Sequence, residues 1–468
     1  MQAPDRNDMQ GMLRYGYGRQ KDAWYVFLTI KDATLCKQWL AQTTFQSAAK
    51  SPSESCMNLA FSAKALQRLG IHDLEETGFS RAFIEGMDTD HRNRTLGDVG
   101  INAPEQWEWG NRKDEHLHVL LMIFARNLDE LTQLYEQEAE RFKQYGMLEH
   151  HKIHAAYIQN PEGHYMEHFG FRDGLSQPEM HGTGRVAHAD HMLNPGEFVL
   201  GYPNAYDKLP HSPHWMTREG GIDLGRNGSY MVFRQLEQYV SVFWSSLHHQ
   251  FKEDPTYERT IELAAKMVGR WPNGDPLVPF DTEAKRALNA FRFHEEDPKG
   301  YHCPFGSHIR RTNPRDSQSS SSKEKSIDAA IEVANRHRIL RRGRPYGTPI
   351  IESMDVKEII RACLMGRISG NRGLNFICFN TDIDRQFEFV QHTWSNNPKF
   401  AGLYDDVDPI VGVQAEEGEV KPGQFEVPAK PVRKRYKDLP LFTRMKGGSY
   451  FFLPGIQTIQ FLSTLSSS

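Results

Sequence analysis

Four short segments crowded with aromatic and β-branched residues set the strongest limit on what this chain can fold into: Trp24–Ile30, His118–Phe124, Tyr230–Phe233 and Leu374–Phe379. Such runs read as buried strands, because residues of this kind fill a pleated, water-free surface. Each is followed by a stretch able to form a helix. Leu128–Tyr145 alternates apolar and charged residues at helical spacing, and Leu236–Leu247 does so with more aromatic weight. The order strand, helix, long middle, strand, helix thus occurs once between Trp24 and Tyr145. It occurs again between Tyr230 and Trp394, where ICFNTDIDRQFEFVQHTW supplies the last passage from strand to helix. This predicts an α+β architecture of duplicated lobes, with two unrelated α+β domains of similar element order as the alternative.

At 468 residues the chain is long enough for one large two-lobed unit or two to three ordinary domains. Gly201–Gly221, rich in Pro, Gly and His and without period, reads as the connection between lobes. The expected division is an N-terminal lobe over residues 1–200, a connecting segment over 201–221 and a C-terminal lobe over 222–468. DSQSSSSKEKS at 316–326 and the tract from Gly412 to Lys434 read as irregular surface segments. Near the end, FTRMKGGSYFFLPG and IQTIQFLS predict a short strand and a brief helix.

A formal charge of −4 gives no global basic field, so nucleic acid is a poor partner. The five cysteines, at 36, 56, 303, 363 and 378, form no CxxC pair, which argues against structural zinc, iron–sulfur centres and a disulfide scaffold. The N-terminal MQAPDRNDMQG lacks a secretory apolar stretch, and strings such as AWYVFLTI fall short of a membrane span. A soluble, cytoplasmic protein without a membrane partner is expected.

Three segments could carry chemistry. In GFRDG, at 170–174, Asp173 lies between glycines that permit unusual dihedrals and close approach, though an isolated match is as well an ordinary Asp-Gly turn. His308 stands in CPFGSHIRRTNPR, one imidazole among arginines that include Arg310 and Arg315. Histidine is a common ligand of haem iron, and arginines can neutralise the two carboxylates a haem carries. Alone, the string also describes a solvated basic loop. In ILRRGRPYG, at 339–347, an apolar start followed by Gly343 and Pro345 suggests a segment that begins inside and then turns. Arg341 there is either a fixed positive charge near a site or part of a surface patch.

Together these segments resemble those of the dye-decolourising peroxidase family, specifically its longer members. GFRDG is similar to the family's glycine-bounded aspartate, HIRRTNPR to its proximal histidine segment and LRRGRPYG to the segment bearing its distal arginine. DMQGMLRYGYG, NGSYMVFRQLEQ, RGLNFICFNTDIDRQFEFVQHTW, DPIVG and GGSYFFLPG resemble further family segments in the same order, so the likeness runs nearly end to end. The serine-rich tract between His308 and Arg341 departs as an enlarged loop.

The resemblance implies two ferredoxin-like lobes, each an antiparallel four-stranded sheet with helices. It implies haem b held mainly by the C-terminal lobe, with His308 as the iron ligand and Arg310 and Arg315 among the cofactor's contacts. Asp173 and Arg341 fall on the catalytic side, walled by Leu374 and Phe376. The implied activity is reduction of hydrogen peroxide with oxidation of phenols and bulky anthraquinone-type dyes, through an oxidised form of the haem. A homo-oligomer is compatible with it. A haem-storage or haem-transfer protein is the alternative, needing His308 and a pocket but not Asp173 with Arg341.

Other residues compete for roles. His150, His151, His154, His164 and His168 make a histidine-rich stretch, but His151 and Tyr165 stand where HExxH needs its Glu, so surface or turn histidines are expected. Asp408 is a candidate to orient His308, with Asp405, Asp406 and Glu388 also available. Trp394, followed by the polar Ser395, Asn396 and Asn397, is expected at an exposed helix end, either as an electron relay to bulky reductants or as a packing residue.

Overall fold

The computed structural model describes residues 3–111, 113–184, 188–217, 220–279, 289–366, 370–416 and 419–465. Residues 218, 219, 417 and 418, within the expected connecting and irregular tracts, lie outside the described residues.

Nine strands form the main sheet: β1 Asp22–Ile30, β2 Ser55–Phe61, β3 Val119–Ala125, β4 Met147–Ala156, β5 Ser229–Gln238, β6 Leu340–Arg341, β7 Arg344–Tyr346, β8 Gly373–Asn380 and β9 Thr443–Leu453. Their order is β6-β8-β5-β9-β2-β3-β1-β4, with β7 also on β8. All pairings between them are antiparallel. In the first half the strands lie second, third, first, fourth; in the second half, counting β6 and β7 as one position, the same order returns. The two sets meet through the single pair Phe452↔Phe61.

Alternation along β1 sorts its side chains to two faces. Tyr25 and Phe27 point to the centre of the molecule, where Phe233 of β5 meets their rings at centroid distances of 5.2 and 5.6 Å. Val26 and Leu28 point outward into a second cluster with Trp39 of α1 (Ala33–Gln42) and Phe142 of α2 (Leu128–Gln144). Both helices start on a side-chain cap: Asp32 accepts from the Leu35 N–H and Asn127 from the Glu130 N–H.

A third cluster joins α3 (Val240–His249), α4 (Tyr257–Val268) and α7 (Val356–Leu364) to Phe169 and Phe171, which flank Gly170. Further helices include α5 (His308–Thr312), α6 (Glu324–Asn335) and α8 (Ile456–Thr464), and a π-helical stretch covers Asp384–Glu388 and Val390–Ser395.

Several expectations are corrected. The helix expected from Leu236 begins at Val240, because Leu236 and Glu237 still pair with β8 on one side and β9 on the other. Of the histidine-rich stretch, His150, His151 and His154 lie on β4, with His151 and His154 opposite Phe27 and Trp24, and His168 is buried against the Tyr346 carbonyl. The serine-rich tract ends in α6. The final strand, expected to be short, is the eleven-residue β9.

Candidate functional site

One cavity reaches deep between the helical cluster and the second-half strands. It leaves about 1910 Å³ free of protein atoms, part of it open to solvent. His308, Asp173, Arg341, Leu374 and Phe376 all line it. Residues from four separate sequence segments thus share one wall system.

His308 is the first residue of the short helix α5, whose preceding Ser307 donates from Oγ to the Lys266 carbonyl at 2.5 Å. The imidazole Nδ1–H donates to Asp408 Oδ2 at 2.9 Å, which leaves Nε2 as the nitrogen with a lone pair to offer. Asp408 has no solvent exposure, and its Oδ1 accepts from the Ile410 and Val411 N–H groups at 2.8 and 3.0 Å. Burial works to raise the Asp408 carboxyl, but the His308 charge and hydrogen bond and the Val411 N–H outweigh it and hold the group below the usual carboxylate range. Among the acidic candidates, Asp408 is the one that meets the imidazole.

Asp173 follows a tightly built turn. Gly170 has φ +94°, and a Cβ there would lie 3.1 Å from both Ile359 Cδ1 and Val356 Cγ2, so glycine serves both the dihedral and the fit. Glu167 clamps the turn: its Oε2 accepts from Phe169 N–H at 3.0 Å and its Oε1 from Phe171 N–H at 2.8 Å. Gln238 adds a third donor at 2.6 Å. Burial above all pushes the Glu167 carboxyl up to about 7, the three donors oppose it, and the nearby Asp173 charge adds to the rise. Asp173 N–H is held by the Tyr165 carbonyl at 2.9 Å.

Arg341 ends β6, and its guanidinium donates to the Leu175 carbonyl at 2.7 Å, two residues beyond Asp173. Leu374 and Phe376, two apart on β8, present one face to the cavity.

Arg310 and Arg315 do not line the cavity, contrary to expectation. Arg310 is fully buried, donates to Asp297 and the Cys303 carbonyl, and lies over the Phe305 ring at 4.2 Å. Arg315 donates to the Asn289 and Phe291 carbonyls and lies over Phe291 at 3.6 Å. Residues two apart on a helix point to nearly opposite sides, so His308 and Arg310 cannot face one cavity.

Arg270 and Arg338 line the cavity instead. Among the described residues neither has a carboxylate within ion-pair distance; they donate to the Gly274 and Ser176 carbonyls. Burial first, and then the charge of Arg341 beside them, lowers each guanidinium to about 10. Buried like charges of this kind call for an anionic ligand. A planar haem with two carboxylates fits this donor set: an imidazole with a free lone pair, apolar walls and buried guanidinium groups at the rim.

Trp394 is 4% exposed, not at an open helix end. The polar run after it turns inward: Arg311 donates to the Trp394 and Asn397 carbonyls, and Asn396 to that of Leu96. Among the described residues no helix is long and apolar enough to cross a membrane, and no group of three or more His, Cys, Asp or Glu side chains could hold a metal ion.

No family model matches the chain. It is 28% identical over 507 residues to a dye-decolorizing peroxidase of Mycena epipterygia, covering 98% of this chain and 86% of that one. Multifunctional dye peroxidase DyP2 of Amycolatopsis is 30% identical over 324 residues, 65% of this chain and 62% of its own. Among solved structures, a DyP-type peroxidase of Anabaena superposes with a TM-score of 0.77 at 26% identity, covering 98% of this chain and 94% of that one. A dye-decolorizing peroxidase in complex with 2,6-dimethoxyphenol does so with 0.77 at 25%, covering 98% and 99%. The likeness to dye-decolourising peroxidases thus runs through both sequence and fold over nearly the whole length of the chain.

Proposed function

We propose that this protein is a haem peroxidase that reduces hydrogen peroxide and oxidises aromatic reductants, phenols and bulky dyes among them. The observation that carries this reading is the meeting of His308, Asp173 and Arg341 on one cavity with buried guanidinium groups that have no carboxylate partner among the described residues. Haem b, when bound, supplies the iron on which peroxide is cleaved and the store for its oxidising equivalents.

His308 holds the iron through Nε2, with Asp408 fixing the tautomer. Arg270 and Arg338 hold the cofactor's carboxylates. Asp173 takes the proton from one peroxide oxygen and returns it to the other, which leaves as water. Arg341 keeps its charge throughout and stabilises the departing oxygen. Leu374 and Phe376 keep the reacting side dry.

We read the repeated strand order as duplicated ferredoxin-like lobes, residues 1–200 and 222–468, joined by 201–221. Asp173 comes from the first lobe and His308 and Arg341 from the second.

The test is reconstitution of the full chain with haem, followed by its absorption spectrum, its reaction with peroxide and its turnover of an anthraquinone dye. Stoichiometric haem with peroxide-dependent bleaching is expected. Haem binding with no reaction toward peroxide would replace this reading by storage or transfer.

A further inference from the structure

Arg311, three residues beyond His308 on α5, is fully buried. Its guanidinium is given over to backbone carbonyls. Nε donates to Gly306 at 3.2 Å, one terminal nitrogen to Trp394 at 2.7 Å and to Asn397 at 3.0 Å, and the other to Asp406. The Phe400 ring covers it at 5.2 Å. Among the described residues no carboxylate lies within ion-pair distance of it.

These carbonyls belong to three segments that must meet for His308 to be held. Gly306 lies just before α5. Trp394 and Asn397 stand where the π-helical stretch ends, and carbonyls at a helix end have no further turn to accept from. Between them the Ser395 carbonyl accepts the Asp408 N–H at 2.8 Å. Asp406 is two residues before Asp408 on the same loop. Arg311 therefore grips the loop that carries Asp408 directly, and again through the helix end that supports it.

The guanidinium is also a charge buried near a buried anion. Burial lowers Arg311 to about 10, and the Asp408 charge, then that of Asp406, works against this. At Asp408 burial works upward, and Arg311 adds to the lowering that His308 and the Val411 N–H supply. A carboxylate behind a metal-binding imidazole makes it a stronger donor. A positive charge near that carboxylate limits the effect.

We propose that Arg311 is a positioning residue that acts on bound iron through Asp408: its hydrogen bonds hold the Asp408 loop against His308, and its charge limits how much negative character Asp408 lends the imidazole. The proposal rests on the reading of His308 as the iron ligand.

Lysine and glutamine separate the two parts. Arg311→Lys keeps the charge, but a compact ammonium cannot span carbonyls of three segments. Arg311→Gln keeps a neutral donor and drops the charge. Haem-loaded full-length parent and variants would be taken through the ferric–ferrous couple, and haem release to a scavenging protein followed on the same samples. Arg311→Lys is expected to release haem about tenfold faster with the parent's midpoint potential. Arg311→Gln should release it as fast and also favour ferric iron by about tenfold, a midpoint about 59 mV lower for a one-electron couple. Placed in Asp408→Asn, the same glutamine should move the potential far less, because the charge has lost the carboxylate it acts on. A role in the fold alone would lower the melting temperature of both variants and leave both potentials parental. That result overturns the proposal, and so does an equal fall in potential with lysine and glutamine. If the neutral variant fails to fold, Arg311→Lys still decides, since parental haem release there overturns the clamp. A parent that binds no haem, or His308→Ala with the parent's potential, overturns the reading of His308 itself, whatever Arg311 does.

Discussion

Asp408 leaves His308 only one way to present its imidazole, and the consequence can be separated from the role of the histidine itself. His308→Ala should lose haem on gel filtration, together with the absorption band that reports it. Asp408→Asn should keep haem but loosen it, because partners behind a metal-binding histidine are worth roughly 10–100-fold in affinity or activity. Equal haem retention in Asp408→Asn and parent, measured by transfer to a haem-scavenging protein, would make Asp408 a packing residue. Across the cavity, Arg341→Leu should slow the first reaction with peroxide by about 10²–10³-fold with haem occupancy preserved. Loss of haem before loss of rate would instead place Arg341 among the cofactor anchors with Arg270 and Arg338. Stopped-flow spectra of the loaded variant decide between them.

The turn that carries Asp173 depends on a carboxyl that titrates near neutrality. Glu167 is pushed to about 7 in the folded chain, above its ordinary value of 4.5. A group raised in this way contributes stability that is complete below the unfolded value and is lost as pH climbs through the folded one. The parent should therefore lose up to roughly 3 kcal/mol from this group between about pH 4.5 and 7, a figure that solvent reaching the cavity would reduce. Glu167→Gln cannot titrate, so its chemical denaturation midpoint should change less across that window than the parent's. Parallel curves would show that the carboxyl is solvated in the folded protein. Little of this turn was legible in the sequence. GFRDG pointed to Asp173, but a half-buried glutamate six residues earlier has no pattern of its own until the backbone N–H groups of Phe169 and Phe171 fold over it. Strands were easier. Trp24–Ile30 and Leu374–Phe379 declare themselves because both of their faces are apolar, whereas β4, with His150, Lys152 and His154 on a half-exposed edge, reads as polar chain. Arg310 misled through nearness in sequence to His308, since helix geometry and not spacing decides which side chains share a cavity. Arg270 and Arg338, which do reach it, come from elements whose convergence only the tertiary fold supplies.

At the scale of the whole molecule the contacts between the two halves include one strand pair, a shared aromatic layer and a buried ion pair that belongs to the cavity wall. Arg234 of β5 holds Asp98, from the first half, by two hydrogen bonds of 2.7 and 2.5 Å. Arg234 is 7% exposed and Asp98 3%, so neither charge has water to fall back on. Taking both ions out of water costs several kcal/mol apiece, and their attraction returns much of that only while both are present. Removing one partner should therefore be far worse than removing both. Asp98→Ala is expected to destabilise the chain by about 3–5 kcal/mol, because it strands a buried guanidinium. Asp98→Leu combined with Arg234→Met, which fills similar space with apolar atoms, should recover most of that loss. Denaturant unfolding of parent, single and double variants measures the difference directly, with fluorescence following the tryptophans of both halves. If the double variant is as unstable as Asp98→Ala, the pair's importance lies in its shape and not its charge. If its stability returns while haem dissociates faster than from the parent, the pair's second task is to hold the cavity wall in register across the junction of the halves.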